Sequence, residues 1–321
     1  MKRDYPQKGI KDLCVLFGKT RAAYYDWQNR KKQSTLLEGL ALEMTHKVRK
    51  DLPRSGVRQL HQIFIRDYQL SIGRDYLFDL LKQHKLLIRQ RKRKIVTTDS
   101  RHWQFKYPNL IKNLFVMRPE EVWVSDITYI RLANGFAYLS LVTDAYSRKI
   151  VGYCLHKDLS KDGCMEALRM ALRQRFTPYK PLIHHSDRGV QYCCRDYVCL
   201  LNENGIAISM TNNGDPYENA IAERINGIVK NEFNIGYTNV GFEATQDLLD
   251  TAVHAYNNIR RHSSCDYLTP AEAHQKEGSL KKHWKNYFKP YLLTHKFEKN
   301  DLLSSLRITE LTCQTESGFI L

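Results

Sequence analysis

The 321-residue chain is 42% hydrophobic and 26% charged, a composition typical of a soluble protein with a buried core. No run approaches the roughly 18 consecutive apolar residues of a membrane span. The N-terminus lacks the apolar core of a secretion signal, so we expect a cytoplasmic protein. The eight cysteines form no CxxC pair, which argues against a zinc knuckle and predicts reduced thiols.

The positive charge of the chain is unevenly distributed. Residues 1–100 contain 23 basic and 10 acidic side chains, a net charge of +13, whereas residues 101–321 contain 27 and 24, a net charge of +3. A strongly basic third beside a nearly neutral remainder predicts a polyanion-binding region joined to a different domain. The alternative is a basic surface that only confers solubility.

The N-terminal third is predicted to be helical. Residues 11–32 favour two short helices around Gly18, with Thr20 capping the second, and a longer helix follows from about Leu36 to Lys50. Two further amphipathic stretches, residues 57–64 and 71–87, resemble a helix-turn-helix with Arg74 near the start of the recognition helix. Two generic amphipathic helices are the alternative, but the run "RQRKRK" that follows favours DNA binding.

The pattern changes after residues 95–120, which contain two prolines and predict a linker or extended arm. From Val122 onwards, strands and helices alternate in the order ββ-β-α-β-α-β-α, and the first two strands form a hairpin. This order predicts a mixed five-stranded sheet with flanking helices.

Three carboxylates occupy particular positions in these elements. Asp126 lies within the first strand, where burial of a lone charged carboxylate is energetically unfavourable. Asp187 ends the fourth strand, and Glu223, in the helix after the fifth strand, is separated from it by 35 residues. If the three side chains converge, they form an oxygen-rich site suited to Mg²⁺ or Mn²⁺ rather than zinc.

The helix that carries Glu223 is amphipathic. Its apolar stripe, which we expect to pack on the sheet, consists of Ile221, Ile225, Ile228 and Val229. Glu223 and Lys230 project opposite this stripe, so we expect both to face outward, with Asn226 and Gly227 leaving that line uncrowded. A Gly-Asp-Pro turn precedes the helix, and we expect it to form a mobile loop. An ordinary surface helix with a solvated face is the alternative.

Four motifs occur in order: "WVSDITYI", "HHSDRGVQY", "NGDPYENAIAERINGIVKNEF" and "HAYNNIRRHSSCDYLTPAEA". Together they resemble the integrase-type catalytic core of DDE transposases, and most of all the second-frame product of the insertion sequence three (IS-three) family. The resemblance covers about residues 50–275. It implies a ribonuclease-H-like core and a catalytic, metal-binding triad of Asp126, Asp187 and Glu223. It also implies that Lys230 contacts the DNA of the element end.

The resemblance further implies an enzyme that uses two divalent metal ions, Mg²⁺ or Mn²⁺, to cut DNA at the element ends and transfer the 3′-hydroxyl into DNA. Its expected partners are double-stranded DNA, further copies of the chain on that DNA, and an upstream-frame helix-turn-helix protein fused by frameshift. A bacterial, nucleoid-associated location follows. Two other functions stay open: a non-catalytic DNA-binding regulator of transposition, and a metal-dependent nuclease of the same fold.

We therefore predict four regions: a helical DNA-binding region 1–95, a linker 96–117, a catalytic core 118–275 and a C-terminal tail 276–321. The tail mixes aromatic residues with lysines, which fits either nucleic-acid binding or a packing appendage.

Several polar residues allow two interpretations. Asp144 is either a second acid of the metal site or, the interpretation we favour, a polar residue at a strand end. His185, which shares a strand face with Asp187, either forms a hydrogen bond within the site or only packs, whereas His184 is expected to be structural. Arg260 and Arg261 lie at a helix end and either bind DNA, which we favour for at least one, or cap carbonyl groups.

Overall fold

The computed structural model describes residues 6–88, 103–212, 219–237, 239–281 and 283. The chain divides into two compact units, one formed by residues 1–50 and 55–89, the other by residues 51–54 and 90–321. The predicted boundary at residue 95 and the predicted tail beyond residue 283 lie outside the described residues. Within the described part of the chain, no helix is long and apolar enough to cross a membrane.

The first unit is helical, as predicted. Its helices are α1 (Ile10–Leu16), α2 (Arg21–Asp51), α3 (Val57–Asp67) and α4 (Arg74–Gln83). Thr20 Oγ1 accepts a hydrogen bond of 3.1 Å from Ala23 N, so the predicted cap is present. The predicted interruption before Leu36 is wrong: α2 continues through it, because residues 30–36 contain no glycine or proline to break the helix.

Helices α3 and α4 form the predicted pair and join through residues 68–73. Their apolar faces are buried and consist of Leu60, Ile63 and Phe64 on α3 and Leu77, Leu80 and Leu81 on α4. Arg74 is the first residue of α4. This is the arrangement from which we predicted a helix-turn-helix.

The second unit contains a mixed sheet of five strands in the order β3-β2-β1-β4-β5. The strands are β1 (Val122–Leu132), β2 (Gly135–Asp144), β3 (Ile150–His156), β4 (Leu182–Ser186) and β5 (Ile206–Met210). Strand β2 runs antiparallel to β1 and β3, whereas β1, β4 and β5 are parallel. The sheet and its strand order confirm the predicted α/β class.

Helices cover both faces of this sheet. They are α5 (Lys161–Arg173), α6 (Val190–Cys193), α7 (Arg195–Glu203), α8 (Ala220–Glu232), α9 (Phe242–Asn258) and α10 (Pro270–Ala273). Alternate residues of β1 point to opposite faces, so Trp123 joins the cluster with α5, α6 and α7, whereas Val122 and Val124 pack with Ala222 of α8. Even-numbered residues of β1 therefore face α8.

Part of the predicted linker packs against the sheet edge. Met210 N of β5 donates to Pro108 O at 3.3 Å, and Leu110 N donates to Ser209 Oγ at 2.9 Å. At the opposite edge, the side chain of Asn257 on α9 bonds both backbone groups of Ile150 on β3. Residues 108–111 are thus an arm on the core, one of the two forms we predicted, and they satisfy backbone groups of an edge strand.

Candidate active site

Asp126 and Asp187 lie where strands β1 and β4 stop pairing. The parallel ladder joins Val122–Val124 to Ile183–His185, and Asp126 follows two residues after the last pair. Asp187 comes directly after Ser186, the last residue of β4. Because Val124 and Asp126 share a face of β1, the Asp126 carboxylate is directed to the side of the sheet that α8 covers.

The pKa of Asp126 responds to the charges of the other two predicted acids. The pKa of Asp126 is raised from 3.8 to about 7, first by burial and then by the negative charges of Asp187 and Glu223. A hydrogen bond from Asn226 acts in the opposite direction and lowers this pKa. The charges of Asp187 and Glu223 thus both act on Asp126, and a bound cation would relieve this repulsion.

Glu223 lies in the first turn of α8 and is exposed. Among the described residues, no three His, Cys, Asp or Glu side chains are grouped closely enough to hold a metal ion. The third carboxylate thus acts on Asp126 through its charge without closing a compact cage. The predicted mobile loop before Glu223 covers residues 213–218, which lie outside the described residues.

Helix α8 packs on the sheet through the predicted stripe, since Ile225, Ile228 and Val229 are buried. The expectation that Lys230 faces outward is wrong. Its Nζ donates a 3.1 Å hydrogen bond to Thr128 Oγ1 on β1, and burial lowers the pKa of Lys230 although the charge of Asp126 opposes this shift. On the polar side of the helix, Asn226 and Lys230 therefore both hydrogen-bond to β1, whereas Glu223 stays exposed.

Asn226 is a site residue that sequence reasoning missed. It is buried, and its Nδ2 donates a 2.7 Å hydrogen bond to Asp126 Oδ2. The sequence predicted only that Asn226 leaves the helix surface uncrowded. A usable signal was its position three residues after Glu223, because residues three apart lie on the same side of a helix.

The prediction that Arg260 contacts DNA does not fit the structure. Its guanidinium forms two hydrogen bonds, 2.8 and 2.9 Å long, to the Glu232 carboxylate, and only 7% of its side chain is exposed. Arg261 donates to Tyr267 O at 2.9 Å and lies 3.6 Å from Glu272, with 14% of its side chain exposed. Both arginines thus stabilise the fold around the end of α9, and no large part of either is presented to a ligand.

Arg74, the remaining predicted DNA contact, is on the surface of the first unit. Its side chain is 55% exposed and pairs with Asp75 at 2.8 Å. Such an exposed pair is weak and can exchange for a phosphate contact. The DNA-binding role of Arg74 stays a prediction.

Asp144 belongs to a structural network and not to the metal site. It pairs with Trp123 in the antiparallel ladder and so points to the face opposite Asp126. One of its oxygens accepts from Glu120 N at 2.7 Å, and the other accepts from the backbone and hydroxyl of Ser147. These bonds and the nearby His274 outweigh burial, so the pKa of Asp144 is lowered. The favoured interpretation, a polar residue at a strand end, is correct.

The two histidines of β4 differ in their contacts. His184 Nε2 lies 2.7 Å from Ser125 Oγ and 2.9 Å from Tyr197 Oη on the α7 face, and burial lowers the pKa of His184 to about 3. His185 Nδ1 lies 2.8 Å from Ser209 Oγ of β5. His184 is structural, as expected. The contact of His185 links the strand that ends in Asp187 to the next strand.

Comparison with known proteins identifies the family. Residues 117–216 and residues 204–270 match two family models, each described as an integrase core domain. Over 270 residues the chain is 35% identical to the 31 kDa protein of insertion element IS600 from Shigella sonnei. The aligned residues cover 82% of this chain and 98% of that protein. The chain belongs to the IS3 family of transposases. It is also 30% identical over 256 residues to the transposase of IS629 from Shigella sonnei, covering 79% and 80% of the two chains.

Another relative of this IS3-family transposase is matched over a shorter stretch. Transposase InsF of insertion sequence IS3A from Escherichia coli K12 is 33% identical over 168 residues, which cover 52% of this chain and 58% of InsF. Among solved structures, the catalytic core of HTLV-2 integrase in complex with magnesium gives a TM-score of 0.40 at 19% identity, covering 50% of this chain and 100% of that one. A chain of the simian T-cell lymphotropic virus intasome gives 0.45 at 16% identity, covering 81% and 80%.

The fold of this IS3-family transposase follows from its sheet and the family models. The strands, in the order 3-2-1-4-5 with β2 antiparallel to both of its neighbours, lie within residues 117–216, which match the first integrase core model. The second unit has the ribonuclease-H-like integrase fold. The predicted fold class is confirmed.

Proposed function

We propose that this transposase cuts DNA at the ends of its insertion element and joins the resulting 3′ ends to DNA, with Asp126, Asp187 and Glu223 as the metal-binding carboxylates. One observation carries this proposal: the charges of Asp187 and Glu223 both act on Asp126, although the three residues come from separate elements. Structural acids are normally paired with cations or donors. Acids that repel one another at the end of two strands instead favour a bound cation.

The chemistry of these side chains fits a hard divalent cation. All three donors are carboxylates, the ligands that Mg²⁺ and Mn²⁺ prefer over zinc. A cation between them would remove the repulsion that raises the pKa of Asp126. We infer two ions, as the family resemblance implies.

Bound ions of this kind polarise the scissile phosphate and activate the attacking oxygen. In the first step the oxygen of water bonds to phosphorus, the bond from phosphorus to the 3′ oxygen breaks, and the proton lost by water is balanced by the one that the 3′ oxygen gains. In the second step this 3′-hydroxyl attacks another phosphodiester in the same way. No covalent bond to the protein forms, so the chain requires no Ser or Tyr nucleophile.

The other residues of the site have supporting tasks. Asn226 holds Oδ2 of Asp126, which fixes how this carboxylate faces its neighbours. Lys230, with its Nζ on Thr128, lies two turns after Glu223 on the same helix and supplies a positive charge for a DNA phosphate. Outside the core, the basic first 100 residues, including Arg74, would bind the element end through charge.

The complete reaction requires partners. Both ends of an element have to be held together, so we infer that several copies act on one DNA molecule. We also infer that the upstream reading frame contributes a helix-turn-helix protein fused by frameshift, and that the two ends are first joined in a circular intermediate. These inferences rest on the family resemblance.

The test incubates the full chain with labelled element-end DNA and Mg²⁺ or Mn²⁺. Wild type is compared with Asp126→Asn, Asp187→Asn and Glu223→Gln, and Asp144→Asn serves as a control acid outside the site. We expect wild type and the control to nick and join DNA, and the three site variants to bind DNA without cutting it. If all of them bind and none cuts, the chain is a regulator. Nicking without joining would identify a nuclease of the same fold.

A further inference from the structure

We propose that Asn219 is a positioning residue that holds Glu223 in place relative to Asp126, a role that rests on the function proposed above. Asn219 precedes α8 at the N-cap position and is 5% exposed. It bonds to both of the elements that carry these acids.

The Asn219 side chain does not cap its own helix. An asparagine at this position normally accepts a hydrogen bond from one of the first helical N–H groups, but here no such bond is made. Instead, Nδ2 donates a 3.0 Å hydrogen bond to Ser125 O, 94 residues earlier in the chain. Only the amide nitrogen can donate to a carbonyl group, so this bond fixes the orientation of the side chain.

This hydrogen bond takes the place of a backbone hydrogen bond that β1 and β4 do not form beyond their last pair. Successive carbonyl groups of β1 point to alternate sides, and Glu121 O accepts from Ile183 N of β4. Ser125 O, four residues later, therefore points to the same side, towards β4. The ladder between these strands ends at the pair of Val124 and His185, and the amide of Asn219 occupies the position that a longer β4 would fill.

The backbone of Asn219 fixes the other acid. Glu223 N donates a 3.2 Å hydrogen bond to Asn219 O, an ordinary backbone bond between residues four apart at the start of α8. Ser125 O belongs to the peptide unit that leads into Asp126. A single residue thus connects the backbone of Glu223 to the backbone of Asp126 through two hydrogen bonds, and the residues just before it, 213–218, lie outside the described structure.

The other amide atom gives a second, independent observation. Asn219 Oδ1 is buried and has no hydrogen-bond partner among the residues that the structure describes. Buried polar atoms are normally satisfied, so an acceptor left unpaired beside a carboxylate site is suited to a donor that arrives with the ligand, such as water bound to a cation.

The test measures Mn²⁺ binding to the full chain without DNA, by isothermal titration calorimetry. The variants are Asn219→Ala, which removes the side-chain amide and its bond to Ser125 O but keeps the backbone bond to Glu223, and Asn219→Asp, which keeps the size of the side chain but removes the donor. Asn258→Ala is the matched control, because that exposed amide bonds only His254 O on its own helix. We expect both Asn219 variants to weaken Mn²⁺ binding about tenfold or more, as loss of a supporting residue does in other metal sites, and the control to remain within twofold of wild type.

Cleavage kinetics and folding complete the test. The Asn219 variants should lower kcat for end cleavage and leave the KM for DNA unchanged, because the amide positions an acid and binds no DNA. Folded Asn219 variants that bind Mn²⁺ within twofold of wild type would overturn the assignment. So would loss of folding in both, since Asn219 would then hold the fold and not the site. Asp126→Asn separates the role of Asn219 from the proposed function. If Asp126→Asn also binds Mn²⁺ like wild type, the proposal that these carboxylates bind metal is wrong.

Discussion

Asn226 on α8 donates a 2.7 Å hydrogen bond to Asp126 on β1, across 100 residues of sequence. The bond favours the charged form of an acid whose burial favours the neutral form. A carboxylate has to be ionised to bind a cation. If Asp126 binds metal as proposed, Asn226 keeps it ionised at a lower pH than burial alone would allow.

Substitution of Asn226 should move the pH dependence of the reaction. In Asn226→Ala the pKa of Asp126 rises, so the acid limb of kcat/KM for end cleavage should shift to higher pH. The control is Asn231→Ala, five residues further along α8, whose amide donates to Gly227 O and accepts from Tyr237 Oη and so does not bond Asp126. A pH–rate profile measured for both checks this, and an acid limb at the wild-type position in Asn226→Ala would show that the bond does not tune Asp126.

Asp126 should also make stability depend on pH. Its pKa is raised from 3.8 to about 7 by burial and by the charges of Asp187 and Glu223. Between these values the folded chain retains a proton that the unfolded chain releases, so the free energy of unfolding falls as pH rises through this window. Asp126→Asn, which removes the charge, should raise the Tm by a few degrees at pH 8 and have little effect near pH 4.

Thermal unfolding in buffers from pH 4 to pH 8, without divalent ions, tests this expectation. Adding Mg²⁺ at pH 8 should raise the Tm of wild type and leave that of Asp126→Asn nearly unchanged, because a ligand stabilises only a state that binds it. A variant that is less stable than wild type at pH 8 would contradict the sign of the effect.

Lys230 should contribute one charge to the binding of element-end DNA. Lys230→Ala is expected to weaken binding and to flatten the dependence of log K on log salt by about one unit. Thr128→Val removes the hydroxyl that Lys230 Nζ bonds but no charge, so it should leave the slope unchanged. Fluorescence anisotropy over a range of salt concentrations measures both, and equal slopes for wild type and Lys230→Ala would exclude a phosphate contact.

Arg260 should act on stability and not on DNA binding. Its bidentate pair with Glu232 is buried on the arginine side, so Arg260→Ala leaves a carboxylate without its partner and should cost roughly 3 kcal/mol of unfolding free energy. The double variant with Glu232→Ala should recover part of this loss. Urea unfolding of the single and double variants tests the pair. A flattened salt slope of DNA binding in the double variant would restore Arg260 as a DNA contact.

Much of the architecture was predictable from local patterns. The alternation of apolar residues predicted the strands of the core, and the turn residues 133–135 predicted its hairpin, in which only residues 133 and 134 connect the paired Leu132 and Gly135. The continuous α2 was mispredicted because its middle is polar without containing a helix breaker. The spacing of apolar residues predicts whether a segment is a helix or a strand better than it predicts where the segment ends, because the ends depend on contacts with other elements.

The amino-acid sequence sufficed to identify the family and the order in which three acids enter the core, because motif spacing and strand periodicity are local properties of the chain. What the polar residues around Glu223 and at the end of α9 contact was revealed by the tertiary structure alone. Asn219, Asn226 and Lys230 turn towards β1, and Arg260 is enclosed by Glu232. Whether a polar side chain meets water or a partner depends on the element packed above it, and that element is often 100 residues away in the chain.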